Sequence, residues 1–394
     1  MRLLWIVLFV TATFAGELHV AARAGDADAV AALLAKGADP NSRDGLGGTP
    51  LHDAVWGGYR NVVELLLSKG ANVNARHKEG GSTPLHYAVI TNRLEIVELL
   101  VARGADIRLR YGPGSTVLHL AANRGYVEMA RYLLSKGADV NDRDVVGATA
   151  LEEAVWKGQT ELVRLLLDHK ANAVVGNAKS GDFLTHIAAR RGHPEVLKLL
   201  LNRGAAAGQK SRDGSTPLDE ALRYRQPATA AILLDRAGVV VDQVRLEELV
   251  LEGRTEMVEL LLDHGAKADS RTQLGSTLLH DAALKGHLEL VELLLRKGAQ
   301  VDLRNAAGAT PLHDAALGGQ KAMVELLLQR GADLNAIDKE SGNTALGNAA
   351  SWGRLEIVQF LLKKGAEKKV VNRAGKRAID LARENGHLAV VALL

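Results

Sequence analysis

The sequence predicts an all-α protein built from stacked helix pairs, and three observations support that fold class. One short motif recurs about every 33 residues through most of the chain, and a glycine follows most copies of it at a fixed distance. The composition is 47% hydrophobic but only 4% aromatic, and the 394 residues include 40 glycines. These features favour many small units packed with alanine and leucine over one bulky core.

The repeated motif is clearest in three copies of Thr-Pro-Leu-His, which begin at Thr49, Thr83 and Thr310. Looser copies begin at Thr116 and Thr277. We call the first position of each copy its anchor. Twelve anchors, nearly all 33 or 34 residues apart, then fall at residues 16, 49, 83, 116, 149, 183, 216, 244, 277, 310, 344 and 377.

Each copy predicts the same local structure. The hydroxyl of Thr49 can cap a first helix, and Pro50 suits the first turn because a helix start needs no N–H there. Nine residues after the anchor a glycine permits a tight turn at positive φ, and only Asn92 and Arg225 replace it. An amphipathic second helix follows and ends at a cap glycine such as Gly70. A polar link, expected to form a short β-hairpin, leads to the next anchor.

A helix pair of this size cannot bury its apolar face alone, so neighbouring copies must stack. The period, the Thr-Pro-Leu-His signature and the order of the elements resemble the ankyrin repeat family across residues 16–394. That resemblance implies a helix-turn-helix solenoid that binds proteins without catalysis. It also implies that the histidines three residues after the anchors hydrogen-bond backbone between repeats. These histidines are His19, His52, His86, His119, His186, His280 and His313.

Three places depart from the repeat. The junction at residues 237–244 has seven residues where other copies have about twelve; it is either a tolerated deletion of the link or a hinge that divides the array. Lys170 replaces a cap glycine, so we expect it to adopt positive φ at a cost of about 1 kcal/mol. The last copy stops at Leu394, within its second helix, so either the repeat is truncated or this end docks on another molecule.

Residues 1–15 differ from the rest of the chain. Met1 and Arg2 precede an apolar run at residues 3–10, and small residues follow at Thr13 and Ala15. This pattern predicts a secretory signal peptide cleaved after Ala15, and hence a secreted or periplasmic protein. The alternative is a cytoplasmic protein whose N-terminus is a hydrophobic helix capping the first repeat. The uncharged stretch is too short for a stable membrane span.

The sequence offers no catalytic, cofactor or metal motif. The absence of cysteine excludes disulfides, thiolate metal sites and a cysteine nucleophile. The repeated histidines are expected about 10 Å apart, which is too far to share one metal ion. No His-Glu-x-x-His, P-loop or Gly-x-Ser-x-Gly motif is present. A net charge of +3 without a Lys/Arg block argues against nucleic acid as a partner.

The family resemblance places partner contacts on a concave groove, at positions four, seven and eight residues after each anchor. Trp56, Tyr87 and Trp156 are the candidate binding residues, since aromatic side chains often dominate interface energy. The alternative is that these rings only cover gaps at the helix turns. The full candidate set is Asp53, Trp56, Tyr87, Ile90, Leu120, Asn123, Arg124, Glu153, Trp156, Lys157, Arg190 and Arg191.

The sequence therefore favours an exported, monomeric scaffold that binds a partner protein. An intracellular regulator with an intact N-terminus is the alternative. A third possibility is a nucleic-acid-associated regulator, whose affinity would fall steeply with added salt.

Overall fold

The computed structural model describes residues 16–394 apart from positions 79, 113, 175, 177–180, 237, 238, 240, 242, 273 and 274. The predicted signal peptide, residues 1–15, lies outside the described residues. The described part of the chain is helical and contains no β-strand longer than an isolated bridge, as the predicted all-α class requires. None of its helices is both long enough and apolar enough to cross a membrane.

The helices alternate between the first and second members of successive pairs. We label them α1 to α24, so that odd numbers are first helices and even numbers are second helices. Helix α1 covers residues 16–24. The others are α2 Ala27–Ala35, α3 Pro50–Gly57, α4 Arg60–Ser68, α5 Pro84–Ile90, α6 Leu94–Ala102, α7 Val117–Arg124, α8 Val127–Ser135, α9 Ala150–Lys157, α10 Thr160–Asp168, α11 Leu184–Arg191, α12 Pro194–Asn202, α13 Pro217–Arg223, α14 Pro227–Leu234, α15 Gln243–Leu251, α16 Thr255–Asp263, α17 Leu278–Lys285, α18 Leu288–Arg296, α19 Pro311–Gly318, α20 Lys321–Gln329, α21 Ala345–Ser351, α22 Leu355–Lys363, α23 Ala378–Glu384 and α24 Leu388–Val391.

The chain divides into two compact units, one ending at Leu233 and the other spanning Leu234–Leu394. In the first unit the first helices pack side by side in the order α3, α5, α7, α9, α11 and α13; in the second unit the order is α15, α17, α19, α21 and α23. Small side chains make this close packing possible. At Gly318 of α19 an added Cβ would lie 2.6 Å from the Leu284 carbonyl oxygen of α17, so only glycine fits there.

The threonine anchors start the first helices in two different ways. Thr49 is extended, with φ −113°, and α3 begins at the next residue. The Nδ1 atom of His52 accepts from the Thr49 backbone N–H at 3.1 Å and lies 2.9 Å from its hydroxyl. Where the histidine is missing, the hydroxyl caps the helix directly: Thr149 Oγ1 accepts from the backbone N–H of Glu152 at 3.2 Å. The histidine thus takes over part of the capping function predicted for threonine alone.

Three non-glycine residues occupy turns that glycine fills elsewhere. Lys170 has φ 65°, which confirms the expectation from its place at a cap-glycine position. Asn92 and Arg225, which interrupt the other glycine column, have φ values of 55° and 56°. The backbone conformation of the repeat is therefore maintained even where the preferred residue is absent.

The predicted β-hairpin links are wrong in detail, because the described links are turns with isolated antiparallel bridges. Arginine side chains connect neighbouring links in place of a strand ladder; Arg43 Nη1, for example, donates to the Arg76 carbonyl at 2.6 Å. A side chain that reaches the next backbone satisfies a carbonyl that no strand pairs. The bridges join Tyr111 with Ser115, Arg143 with Thr149, Gly176 with Phe183, and Arg271 with Thr277.

The irregular junction lies beside the boundary between the two units. Helix α14 ends at Leu234, and α15 begins at Gln243, one residue before the anchor Val244. By contrast, every first helix that has a threonine anchor begins one residue after that anchor. The absence of a Thr-Pro pair does not explain the early start of α15 by itself, since α11 and α23 begin one residue after the anchors Phe183 and Arg377. Four junction residues, Ala237, Gly238, Val240 and Asp242, lie outside the described part.

Candidate functional site

The repeated histidines serve the frame of the protein. In six of the seven, Nε2 lies within 3.3 Å of a backbone carbonyl oxygen in the following link, which confirms the contact that the resemblance implied. His86 is the exception, because its Nε2 is buried without a hydrogen bond of normal geometry. The six contacts are His19 to Ser42, His52 to Ser82, His119 to Ala148, His186 to Ser215, His280 to Ala309 and His313 to Asn343.

Burial keeps several of these imidazoles neutral at pH 7. It lowers the pKa of His52, His86 and His280 to about 4 in each case, although contacts with backbone carbonyls act in the opposite direction. A neutral ring with Nδ1 accepting and Nε2–H donating fits the hydrogen bonds around His52 and His280. Across the described residues, no three His, Asp or Glu side chains gather in a way that could hold a metal ion.

The predicted site residues lie on α3, α5, α7, α9 and α11, and we call their shared surface the first-helix face. Leu120 was expected to be exposed there, which is wrong: only 8% of it is accessible. Six candidates are exposed, namely Trp56, Asn123, Arg124, Trp156, Lys157 and Arg191. Five are half-buried, namely Asp53, Tyr87, Ile90, Glu153 and Arg190.

A regular contact between repeats explains this pattern. The residue seven positions after one anchor meets the residue four positions after the next anchor. Ile90 and Leu120 occupy the same two positions, so the register predicts that they meet, in agreement with the burial of Leu120. The observed contacts are Arg23 with Asp53, Trp56 with Tyr87, Asn123 with Glu153, and Arg190 with Glu220. We call them the cross-repeat pairs.

Aromatic rings gather where α3 and α5 meet. The Trp56 and Tyr87 ring centroids are 5.6 Å apart and nearly perpendicular, and the His52 ring is 5.3 Å from Tyr87 on another side. His77, from the link between them, lies 6.3 Å from Tyr87. These rings border an open cavity of about 270 Å³, which we call the Trp56 cavity. Its lining residues are Arg23, Asp44, Leu46, Gly48, His52, Asp53, Trp56, His77 and Tyr87.

Two carboxylates give the Trp56 cavity its polarity. Asp53 is held by Arg23 at 2.9 Å and lies 2.6 Å from His19 Nδ1. Burial acts to raise the pKa of Asp44, but hydrogen bonds from backbone amides and nearby imidazoles lower it on balance. Burial and these two carboxylates raise the pKa of Tyr87, so the phenol is surrounded by negative potential.

Sequence reasoning missed several residues of this cavity because it considered only first-helix positions. Asp44, Leu46 and His77 come from the links, and Arg23 comes from the first repeat. The position of the links in the sequence could have pointed to these residues. Each link precedes an anchor and therefore lies next to the start of a first helix. The candidate set therefore lacked the residues from the links and from the first repeat that line the Trp56 cavity.

Trp156 lies in a different environment from Trp56. The guanidinium carbon of Arg191 is 3.8 Å from the Trp156 ring centroid, so a cation already covers this indole. Next to it, Arg190 pairs with Asp182 at 3.0 Å and with the buried Glu220. Helices α5 and α7 separate α3 from α9 in the stack. The structure thus does not bring Trp56 and Trp156 together, although the sequence analysis grouped them.

Comparison with known proteins agrees with this architecture. The family model described as ankyrin repeats (3 copies) matches residues 18–111, 106–177, 175–244, 246–338 and 335–394. The chain is 43% identical over 61 residues to protein phosphatase 1 regulatory subunit 12A of Mus musculus, covering 16% of this chain and 6% of that protein. It is 48% identical over 50 residues to the Caenorhabditis elegans transient receptor potential cation channel subfamily A member 1 homolog, covering 12% of this chain and 4% of that protein. The chain thus spans only a small part of either relative. Since the family model covers nearly all of the described sequence, the chain belongs to the ankyrin-repeat family.

Proposed function

We propose that this protein is a non-catalytic scaffold that binds a partner protein through the first-helix face of α3 to α11. The observation that carries the proposal is Trp56, which is 56% exposed and borders the Trp56 cavity beside Tyr87. A large aromatic side chain at a surface depression is the kind of residue that dominates binding energy at protein interfaces.

The packing beneath this face supports the proposal. Ala54, Ala88, Ala121 and Ala154 are fully buried on successive first helices, so the helices are packed closely side by side. A face built on a packed core loses little conformational entropy when it binds. Ankyrin repeats are in general protein-interaction modules, and the two relatives above are named as a regulatory subunit and a channel.

Affinity capture with the wild-type chain, followed by quantitative binding of the captured partner, tests this proposal. We expect Trp56→Ala and Tyr87→Ala each to weaken binding by about 2 kcal/mol, or roughly thirtyfold, because each removes a central aromatic contact. Trp156→Ala should have a smaller effect, since Arg191 already covers that ring.

Trp352→Ala is the matched control, because Trp352 is equally exposed, at 59%, but lies in the second unit. We expect it to leave binding unchanged. Unchanged binding by both Trp56→Ala and Tyr87→Ala would contradict the proposal. Circular dichroism checks that the variants keep the wild-type helix content, which the exposure of Trp56 leads us to expect.

We also propose that the protein is exported and that residues 1–15 are its signal peptide. The support is the sequence pattern, a basic start followed by a short apolar run and small residues before Gly16. N-terminal sequencing of the protein purified from its native cells should begin at Gly16. An intact Met1 would contradict export and favour the intracellular alternative.

A further inference from the structure

We infer that the Trp56 cavity receives the guanidinium group of an arginine side chain from the partner protein. This inference rests on the proposed binding through the first-helix face and specifies the chemistry recognised there. Three observations carry it. The guanidinium of Arg191 covers Trp156 within this chain, no described cation covers Trp56 in the same way, and carboxylates line the cavity.

The internal counterpart is the stack of Arg191 on Trp156. Trp156 lies seven residues after its anchor, and Arg191 lies eight residues after the next anchor. Its guanidinium carbon is 3.8 Å from the Trp156 ring centroid, the geometry of a cation–π contact. The repeat frame thus presents a guanidinium to a tryptophan at this position, and the tryptophan keeps 41% of its surface exposed.

At Trp56 the repeat frame is the same but the cation is missing. Trp56 also lies seven residues after its anchor, and the position equivalent to Arg191 is Thr91. The Thr91 hydroxyl donates to the Tyr87 carbonyl at 2.8 Å and is too short to reach over the indole as an arginine does. No cation lies over Trp56 within the described part of the chain, and its exposed fraction rises to 56%.

The carboxylates of the cavity supply charge for a bound cation. Asp53 is already neutralised by Arg23, whereas Asp44 uses one oxygen, Oδ1, for the backbone amides of Leu46 and Gly48. Its other oxygen, Oδ2, has no hydrogen bond to any described residue and is free to accept one. A volume of about 270 Å³ equals roughly nine water molecules at ~30 Å³ each, which is enough for an arginine side chain.

Arginine fits this arrangement better than lysine. Its planar guanidinium can stack on the indole of Trp56 while its edge donates to a carboxylate, and an ammonium cannot make both contacts with the same geometry. The Arg191–Trp156 contact shows that this chain already places a guanidinium over an indole.

A titration followed by NMR tests the inference with a defined probe. The full chain is labelled with 15N at tryptophan, and the indole signals are assigned with single Trp→Phe variants. We expect N-acetyl-arginine methylamide to shift the Trp56 indole signal. The corresponding citrulline compound, a neutral mimic of the same shape, should bind at least about fivefold more weakly, because it lacks the charge.

Two substitutions exchange the environments of the two tryptophans. Thr91→Arg should place an internal guanidinium over Trp56 and abolish the response of Trp56 to the arginine compound. Arg191→Ala should uncover Trp156, which then starts to respond. Asp44→Asn should weaken the Trp56 response without changing the indole signal of Trp352. Circular dichroism confirms that each variant is folded.

A Trp56 signal that does not move, or that moves equally with the citrulline compound, would overturn the inference. If the partner is still lost in Trp56→Ala, the proposed function stands without the arginine preference. If the arginine compound binds but Trp56→Ala and Tyr87→Ala both capture the partner normally, the proposed function fails and the inference fails with it.

Discussion

Lys170 shows how the repeat tolerates an unfavourable residue at one position. At the end of α10 it adopts φ 65°, a left-handed conformation that costs a residue with a Cβ about 1 kcal/mol. Its backbone N–H still bonds to the Leu167 carbonyl at 3.0 Å, so the helix end keeps its hydrogen bond. Glycines at the same position of other repeats, such as Gly137 and Gly204, have open space where a Cβ would lie. The free-energy cost at Lys170 therefore comes from its positive φ angle and not from a clash of its Cβ with neighbouring residues.

We expect Lys170→Gly to raise the free energy of unfolding by about 0.5–1 kcal/mol, because it removes this backbone strain. Urea unfolding followed by circular dichroism measures the change. Lys170→Ala is the control, since it removes the charge but keeps the Cβ and should give no such gain. A gain of equal size in Lys170→Ala would show that the charge, and not the φ angle, is responsible.

Counting from the anchors predicted which residues lie near the first-helix face, but not which of them are accessible. Trp56 and Tyr87, two of the three aromatic candidates, contact each other, whereas Trp156 lies elsewhere. Leu120 was wrongly placed among exposed residues, because its burial depends on the side chain that the preceding repeat places over it. This cross-repeat pairing is a tertiary contact, so the spacing within a single repeat cannot show it.

At the scale of the helix, local capping chemistry made most element positions predictable. A Thr-Pro pair stops any preceding helical structure and starts a new helix at the proline, as at Thr49 and Pro50. The prediction of the boundary fails at one anchor, where helix α15 starts at Gln243, before Val244. The missing Thr-Pro pair does not explain this alone, since α11 and α23 start one residue after the anchors Phe183 and Arg377, which lack it too.

The links were less predictable than the helices. Their glycines and polar residues indicated turns correctly, but the expected hairpins require regular backbone pairing along two strands. In the structure a link closes by a short backbone turn, as where the Asn305 N–H donates to the Ala309 carbonyl at 2.9 Å. Side chains add contacts between links, as where Arg304 Nη1 donates to the Ile337 carbonyl at 2.7 Å. Sequence periodicity carries little information about contacts made by long, flexible arginine side chains.

At the scale of the whole molecule, repetition multiplies the effect of each buried histidine on stability. His52, His86 and His280 have pKa values of about 4 in the folded chain, against an ordinary value of 6.5. The unfolded chain therefore binds more protons than the folded chain between these two values. Stability from this source is fully present above about pH 6.5 and is lost as the pH falls towards 4.

Three carboxylates act in the opposite direction, because burial raises the pKa of Asp281, Asp302 and Asp314. Burial, together with the nearby Asp281, raises the pKa of Asp314 to about 7, so the folded chain holds a proton there that the unfolded chain releases. Its contribution is present at low pH and is lost as the pH rises through 7. Because these three aspartates are partly exposed and burial also lowers the pKa of His313, we expect the four buried histidines to set the direction of the net change.

We therefore expect the full chain to be less stable at pH 5 than at pH 7, by up to about 2 kcal/mol for each of the three histidines whose pKa is about 4. Urea unfolding midpoints at the two pH values measure this difference. His280→Asn should lower stability at pH 7, because the contact with the Ala309 carbonyl is lost, but it should also reduce the drop between pH 7 and pH 5. Asp314→Asn should make that drop larger, since it removes one of the opposing groups. A midpoint that stays constant or rises as the pH falls would show that these imidazoles are not held neutral by the stacked repeats.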